Sequence, residues 1–159
     1  ADRFIYGVRF VIDGVVITPL TQFVDKRGKV MHMLRNDSEV FQSFGEIYFS
    51  GVNPGAIKAW HFHKVMTLNY AVPHGSIKFV LFDERDGSPS KGQVQEIYLG
   101  HDAYNLVTVP PGIWNGFKGV GKDMALVANC ATIPHDPDET LRRDHFDDAI
   151  PYDWGIKQD

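Results

Sequence analysis

Short β-branched and aromatic segments alternate along this sequence with turns rich in Gly, Pro, Asn and Asp. Glu46–Val52 ends at the turn 53–55, and Thr67–Val72 ends at the turn 73–75. Segments of this kind, repeated roughly every 8–12 residues, predict an all-β sandwich or barrel. The predicted strands cover residues 14–20, 29–34, 46–52, 56–63, 67–72, 76–82, 93–99, 103–109, 116–120 and 123–131.

Helical periodicity is weak and is confined to residues 38–44 and 138–145. We therefore expect only short peripheral helices. A length of 159 residues with 43% hydrophobic residues fits a single domain with a sizeable core. The barrel is predicted to cover about residues 14–132. Residues 133–159 are predicted to form a C-terminal excursion over it, with apolar anchors at Phe146, Ile150, Tyr152 and Trp154.

Charge and cysteine content exclude several classes of protein. The net charge is −4, so the chain lacks the basic surplus of a nucleic-acid-binding domain. Its one cysteine, Cys130, can form neither an intrachain disulfide nor a Cys-based zinc cluster. No apolar run approaches the roughly 20 residues that a membrane span requires. These features predict a cytoplasmic protein with no nucleic-acid or membrane partner.

The pair His61 and His63 is the sharpest chemical feature. Residues two apart on a strand point to the same face, so two imidazoles are expected to face the barrel interior together. Such a pair forms either a metal site or an acid/base site. Simple alternation divides the strand into two faces, with Ile57, Ala59, His61 and His63 on one and Lys58, Trp60 and Phe62 on the other.

The metal interpretation can be tested on spacing. The run from Gly55 to His63 fits the opening of the metal-binding cupin motif. The Glu of that motif falls on Thr67 or Leu68, and its third His falls on Asn115, so the ligand set is incomplete. We therefore favour a catalytic or substrate-binding role without metal. A metal-dependent isomerase or oxygenase using His61 and His63 is an alternative, as is a purely structural role for the pair.

Five stretches, in order and with matching spacing, resemble the dTDP-4-dehydrorhamnose 3,5-epimerase family of sugar-nucleotide cupins. They are Asp25–Gly28, Gly55–His61, Phe82–Gly92, Val109–Phe117 and Asp147–Trp154. The resemblance implies a jelly-roll barrel that forms a homodimer. It also implies action on a nucleotide-linked 4-keto sugar, with the dTDP, CDP or GDP carrier left open, without a metal or other cofactor.

The resemblance also implies catalytic roles. His61 matches the family's base, which removes a proton next to the ketone to give an enolate. Asp147, seven residues before Trp154, matches the carboxylate that orients this base, with Asp148 as the second choice. Lys58 stands where the family has an Arg and could stabilise the enolate. Since alternation places Lys58 opposite His61, this role requires a β-bulge or a neighbouring strand.

Four further residues are candidates for substrate binding. Arg27 matches the family arginine that binds the nucleotide diphosphate, a task that suits its bidentate guanidinium. His63 shares the predicted face of His61. Trp114 follows Pro110-Pro111-Gly112 at the predicted end of a strand, where the barrel opens. Asn115 occupies the position of a family His.

One departure from the family concerns the general acid. The family has a Tyr in a Tyr-x-Pro segment, and this sequence has His135 at that position. His135 could replace the Tyr as proton donor. Alternatively, the enzyme could invert only one carbon, or the fold could bind a sugar nucleotide without turnover.

Overall fold

The computed structural model describes residues 3–5 and 8–155. The chain is built from strands joined by turns. The strands are β1 (Arg3–Ile5), β2 (Val8–Phe10), β3 (Val16–Pro19), β4 (Gln22–Asp25), β5 (Gly28–Met31), β6 (Glu46–Val52), β7 (Ile57–His63), β8 (Leu68–His74), β9 (Ser76–Asp83), β10 (Val94–Gly100), β11 (Asn105–Val109), β12 (Ile113–Gly119), β13 (Ala125–Ala131) and β14 (Thr140–Arg142).

Two five-stranded antiparallel sheets face each other. The first has the order β10-β9-β12-β7-β14, and the second has the order β3-β11-β8-β13-β6. The pairs β1–β2 and β4–β5 form two separate hairpins. This arrangement is a jelly roll, so the predicted all-β barrel is confirmed.

The main core fills the space between the sheets. Along β9, Ile77, Phe79 and Leu81 point into this core, whereas Val80 and Phe82 point to the other face of the sheet. Both faces of β9 are buried, which explains its nearly continuous apolar sequence.

The C-terminal segment covers the outer face of the first sheet. Ile150 and Trp154 pack there against Trp60, Phe82 and Trp114. Backbone hydrogen bonds between Trp60 and Arg143 join the segment to β7. The segment therefore closes over the strand that carries the histidine pair.

The strands predicted from sequence correspond to β3 and to β5–β13, with ends that differ by up to three residues. The strands β1, β2, β4 and β14 were not predicted. No helix forms at 38–44, where the chain makes turns, and Ser38 Oγ accepts the Arg35 N–H. In place of a helix at 138–145, a 3-10 turn at Pro137–Glu139 leads into β14. Within the described residues, no helix has the length and apolarity needed to cross a membrane.

Candidate active site

A cavity of about 200 Å³ lies between the two sheets. One wall is formed by β7, β12 and β14, and the opposite wall is formed by β6, β8 and β13. The loop after β13 contributes one further lining residue. The lining residues are Tyr48, Ser50, Lys58, His61, His63, Tyr70, Phe117, Val127, Asn129, His135, Thr140 and Arg142. Two of these residues are cationic and none is Asp or Glu. The cavity therefore suits an anionic ligand, although the chain as a whole carries a net charge of −4.

A β-bulge in β7 brings Lys58 to the same face as His61. Asn115 of β12 pairs with His61 and Phe117 pairs with Lys58, so β7 has two residues where β12 has only Gly116. A side chain at Gly116 would collide with Ala59 in the bulge, which accounts for glycine at this position. The extra residue reverses the alternation between Lys58 and His61, as the predicted role of Lys58 requires.

His61 is half-buried and faces the cavity. Burial lowers the pKa of the imidazole to about 4, and electrostatic interactions with Arg142, His63 and Lys58 contribute to the shift. His61 is therefore neutral at pH 7, which is the protonation state that a general base needs.

This depressed pKa predicts acid sensitivity. Between pH 6.5 and about 4 the unfolded chain binds a proton at His61 and the folded chain does not, so stability falls as the pH falls through this window. We expect a loss on the order of 2 kcal/mol from this residue, after allowance for solvent screening of the half-buried ring. Urea unfolding of the wild type and of His61→Asn at pH 7 and pH 4 measures it. Parallel losses in the two proteins would contradict the assignment.

His63 is paired with a buried carboxylate. Its Nδ1 makes a short hydrogen bond to Glu139, which is only 5% exposed. Glu139 also accepts the backbone N–H groups of Val65 and Met66, each at 3.2 Å. Burial would raise the pKa of Glu139, but these hydrogen bonds outweigh it and lower the pKa. The imidazole of His63 is thus held by an ionised carboxylate.

Glu139 and Arg142 are site residues that sequence reasoning missed. Both belong to the stretch predicted as a helix, and the observed strand β14 instead pairs with β7, placing Arg142 opposite His61 and Thr140 opposite His63. Within the described part of the chain, no carboxylate pairs with Arg142. Its guanidinium is therefore available to a bound anion. No local pattern marks these two residues, because they reach the site only through the pairing of β14 with β7.

The structure brings four of the predicted site residues into the cavity: His61, His63, Lys58 and His135. Lys58 Nζ donates to Ser50 Oγ across the cavity at 2.9 Å. His135 lies in the exposed loop after β13. The four side chains therefore surround one cavity.

Asp147 and Trp114 lie elsewhere. Asp147 belongs to the C-terminal segment, where its Oδ1 accepts the Ala149 N–H, and no hydrogen bond or ion pair joins it to His61 in the described structure. The neighbouring Asp148 lies on the same surface. Trp114 is buried on the outer face of the first sheet, where its Nε1 donates to Glu84. The expected Asp147–His61 pair is therefore not formed, because the segment packs on the side of the sheet facing away from the cavity.

Asn115 and Arg27 also do not line the cavity. The buried Asn115 Nδ2 donates to the His61 carbonyl at 3.2 Å, so it supports the backbone of β7. The Arg27 side chain is 84% exposed at the tip of the β4–β5 hairpin and pairs with Asp25. Within a single chain, Arg27 has no contact with the site.

A sequence profile of the dTDP-4-dehydrorhamnose 3,5-epimerase family matches residues 9–159. The chain belongs to this family. SpsL, a spore coat polysaccharide biosynthesis protein of Bacillus subtilis, is 30% identical over 149 residues, covering 92% of this chain and 99% of SpsL. Agl13, a probable low-salt glycan biosynthesis epimerase of Haloferax volcanii, is 32% identical over 147 residues, covering 89% of each chain.

A solved structure agrees with the profile. The crystal structure of a dTDP sugar isomerase from Desulfovibrio desulfuricans has a TM-score of 0.89 and 44% sequence identity, covering 92% of this chain and 94% of that chain. The resemblance and the cupin fold predicted from the sequence are thereby confirmed. This family member is an isomerase of the epimerase type.

Proposed function

We propose that this family member inverts C3, C5 or both carbons of a nucleotide-linked 4-keto-6-deoxy sugar. The observation that carries the proposal is a neutral imidazole, His61, in a cavity with two cations and no carboxylate side chain. A site of this charge favours an anionic substrate and an enolate intermediate.

The proposed chemistry begins at the ketone. The 4-keto group acidifies the hydrogens on C3 and C5, and His61 removes one of them. The electron pair of the broken C–H bond moves into the enolate, and its oxygen is stabilised by Lys58. Arg142 lies next to His61 in register and supplies a second cation for the enolate or the diphosphate.

Substrate binding also adjusts the base. Part of the low pKa of His61 comes from repulsion by Arg142 and Lys58. An anionic ligand between these cations offsets that repulsion, so the basicity of His61 rises when substrate is bound. His61 is therefore a stronger base in the substrate complex than in the free protein.

A homodimer is also part of the proposal. The β4–β5 hairpin exposes Phe23, Val24 and Val30 at 58%, 72% and 59%, an apolar surface that a second copy would cover. Since Arg27 does not line its own cavity, its predicted contact with the diphosphate requires the cavity of a partner subunit. Sedimentation equilibrium showing a single species of 17.9 kDa would contradict the dimer.

The direct test is incubation of the protein in D2O with dTDP-, CDP- and GDP-linked 4-keto-6-deoxy sugars. We expect deuterium at C3 or C5 of an inverted product, detected by NMR, with at least one carrier. Binding in calorimetry without exchange would favour the alternative of a binding protein without turnover. Activity that appears only on addition of a divalent metal would favour the metal-dependent alternative.

A cytoplasmic location stays a prediction. It rests on the single cysteine, Cys130, which is buried and whose thiol pKa is raised by that burial. Fractionation of the native cells with detection of the protein tests it.

A further inference from the structure

Inversion at carbon requires a proton donor on the side of the sugar opposite the base. His61 lies on the first sheet, so the donor is expected on the second sheet, across the cavity. On β6 of that sheet, Tyr48 and Ser50 line the cavity, whereas Ile47 and Phe49 point outward and are exposed. Tyr48 is therefore a hydroxyl acid on the wall facing His61.

Tyr48 is the first of three polar residues aligned across the second sheet. Asn129 on β13 pairs in register with Tyr48 on β6 and with Tyr70 on β8. All three side chains line the cavity. The row therefore places a buried amide between two phenols.

The orientation of the Asn129 amide is fixed. Its Oδ1 accepts the backbone N–H of Asn69 at 3.1 Å, which leaves Nδ2 to face Tyr48. Nδ2 donates to the Tyr48 hydroxyl at 3.0 Å. Because an amide nitrogen can only donate, the Tyr48 oxygen is an acceptor in this contact and its own proton is directed elsewhere.

Tyr70 supports the same arrangement. Full burial raises the pKa of the Tyr70 phenol well above its usual range, and the neighbouring Tyr48 phenol contributes through charge repulsion and a hydrogen bond. Tyr70 therefore stays protonated beside Tyr48. The Asn129 N–H that donates to the Tyr48 oxygen prepares it to carry the negative charge left when its proton departs.

We infer that Tyr48 is the catalytic acid that protonates the enolate on the face opposite His61, with Asn129 as its positioning residue. This inference rests on the proposed function. The proton on C3 or C5 passes to an imidazole nitrogen of His61, and its bonding pair enters the enolate. The enolate π electrons then form a new C–H bond with the Tyr48 proton, and the O–H pair stays on the phenolate. Water returns a proton to Tyr48 and removes one from His61, so no proton is gained or lost.

His135 is the competing donor, since it occupies the family's tyrosine position. It lies in the exposed loop after β13, and its side chain makes no hydrogen bond within the described residues. Tyr48 lies on the edge strand β6 and is 39% exposed, but its hydroxyl is held by the buried amide of Asn129 on the neighbouring strand β13. Preorganisation by rigid partners favours Tyr48.

The experiment compares inversion with exchange in D2O. In Tyr48→Phe we expect the inverted product to form at least about 100-fold more slowly, since the acid is lost. Deuterium should still enter recovered substrate at C3 or C5, because His61 can remove a proton and return deuterium to the same face. Tyr98→Phe loses an exposed hydroxyl on β10, away from the cavity, and should retain both reactions.

Asn129→Ala tests positioning. We expect it to lower the ratio of inversion to exchange, whereas a purely structural defect would lower both rates together. Thermal unfolding of each variant checks that it is folded.

Each outcome is decisive. Inversion by Tyr48→Phe within about threefold of wild type, far below the effect of a lost general acid, overturns the inference and leaves the proposed function standing. Equal loss of exchange and inversion in Tyr48→Phe also overturns it, as does loss of inversion with retained exchange in His135→Asn alone. A wild-type protein that shows neither reaction with any of the three carriers overturns the proposed function and this inference together.

Discussion

Replacing His61 with Asn is expected to lower both epimerisation and solvent exchange at C3 and C5 by at least about 10³-fold, within the range expected for loss of a general base. The Asn side chain offers a hydrogen-bond donor and an acceptor, as neutral imidazole does, but it cannot accept a proton at neutral pH. The hydrogen bond from Asn115 goes to the His61 backbone carbonyl and is kept in the variant. NMR detection of deuterium in substrate and product measures both rates.

The matched control is His101→Asn. His101 lies in an exposed turn beside Asp102, outside the cavity, and its replacement should leave both rates unchanged. Retention of exchange by His61→Asn would show that another group is the base. His63, with its carboxylate partner Glu139, would then be the first candidate to test.

Replacing Glu139 with Ala is expected to lower the free energy of unfolding by about 3 kcal/mol, since a buried charge with several partners is removed. The variant leaves the backbone N–H groups of Val65 and Met66 and the ring of His63 without their acceptor. For a chain of this size, the corresponding fall in Tm is roughly 6–12 °C. Urea and thermal unfolding at pH 7 measure the two quantities.

Glu39→Ala is the control for this change. Glu39 is exposed and makes no ion pair in the described structure, so its loss should alter stability by less than about 0.5 kcal/mol. A Glu139→Ala protein as stable as Glu39→Ala would show that the contacts of Glu139 contribute little. The association of β14 with β7 would then depend on the backbone hydrogen bonds between the two strands alone.

Part of the candidate site could be predicted from local sequence. His61 and His63 share a face because a strand repeats every two residues, and the same rule places Tyr48 beside Ser50. The rule does not tell which face of β6 points inward, because the outward residues Ile47 and Phe49 are themselves apolar. Tyr48 therefore went unrecognised although its strand was predicted with the observed ends.

Strand periodicity alone does not predict which face of β7 carries the Lys58 side chain. Alternation alone places it opposite His61, and only the bulge against Gly116 turns it into the cavity. A bulge depends on which strand pairs with β7 and where a side chain is missing on that partner. Neither fact is local to the segment that carries Lys58.

By itself, the sequence determined the all-β class, the positions of most barrel strands along the chain, the family and the histidine pair, because all of these rest on spacing along the chain. Only the tertiary structure decided which carboxylate reaches which histidine. Glu139 meets His63 because β14 pairs with β7, and Asp147 stays apart because its segment packs on the outer face around Trp60 and Trp154. Contacts between residues far apart in sequence are set by sheet pairing and burial, and these are properties of the whole fold.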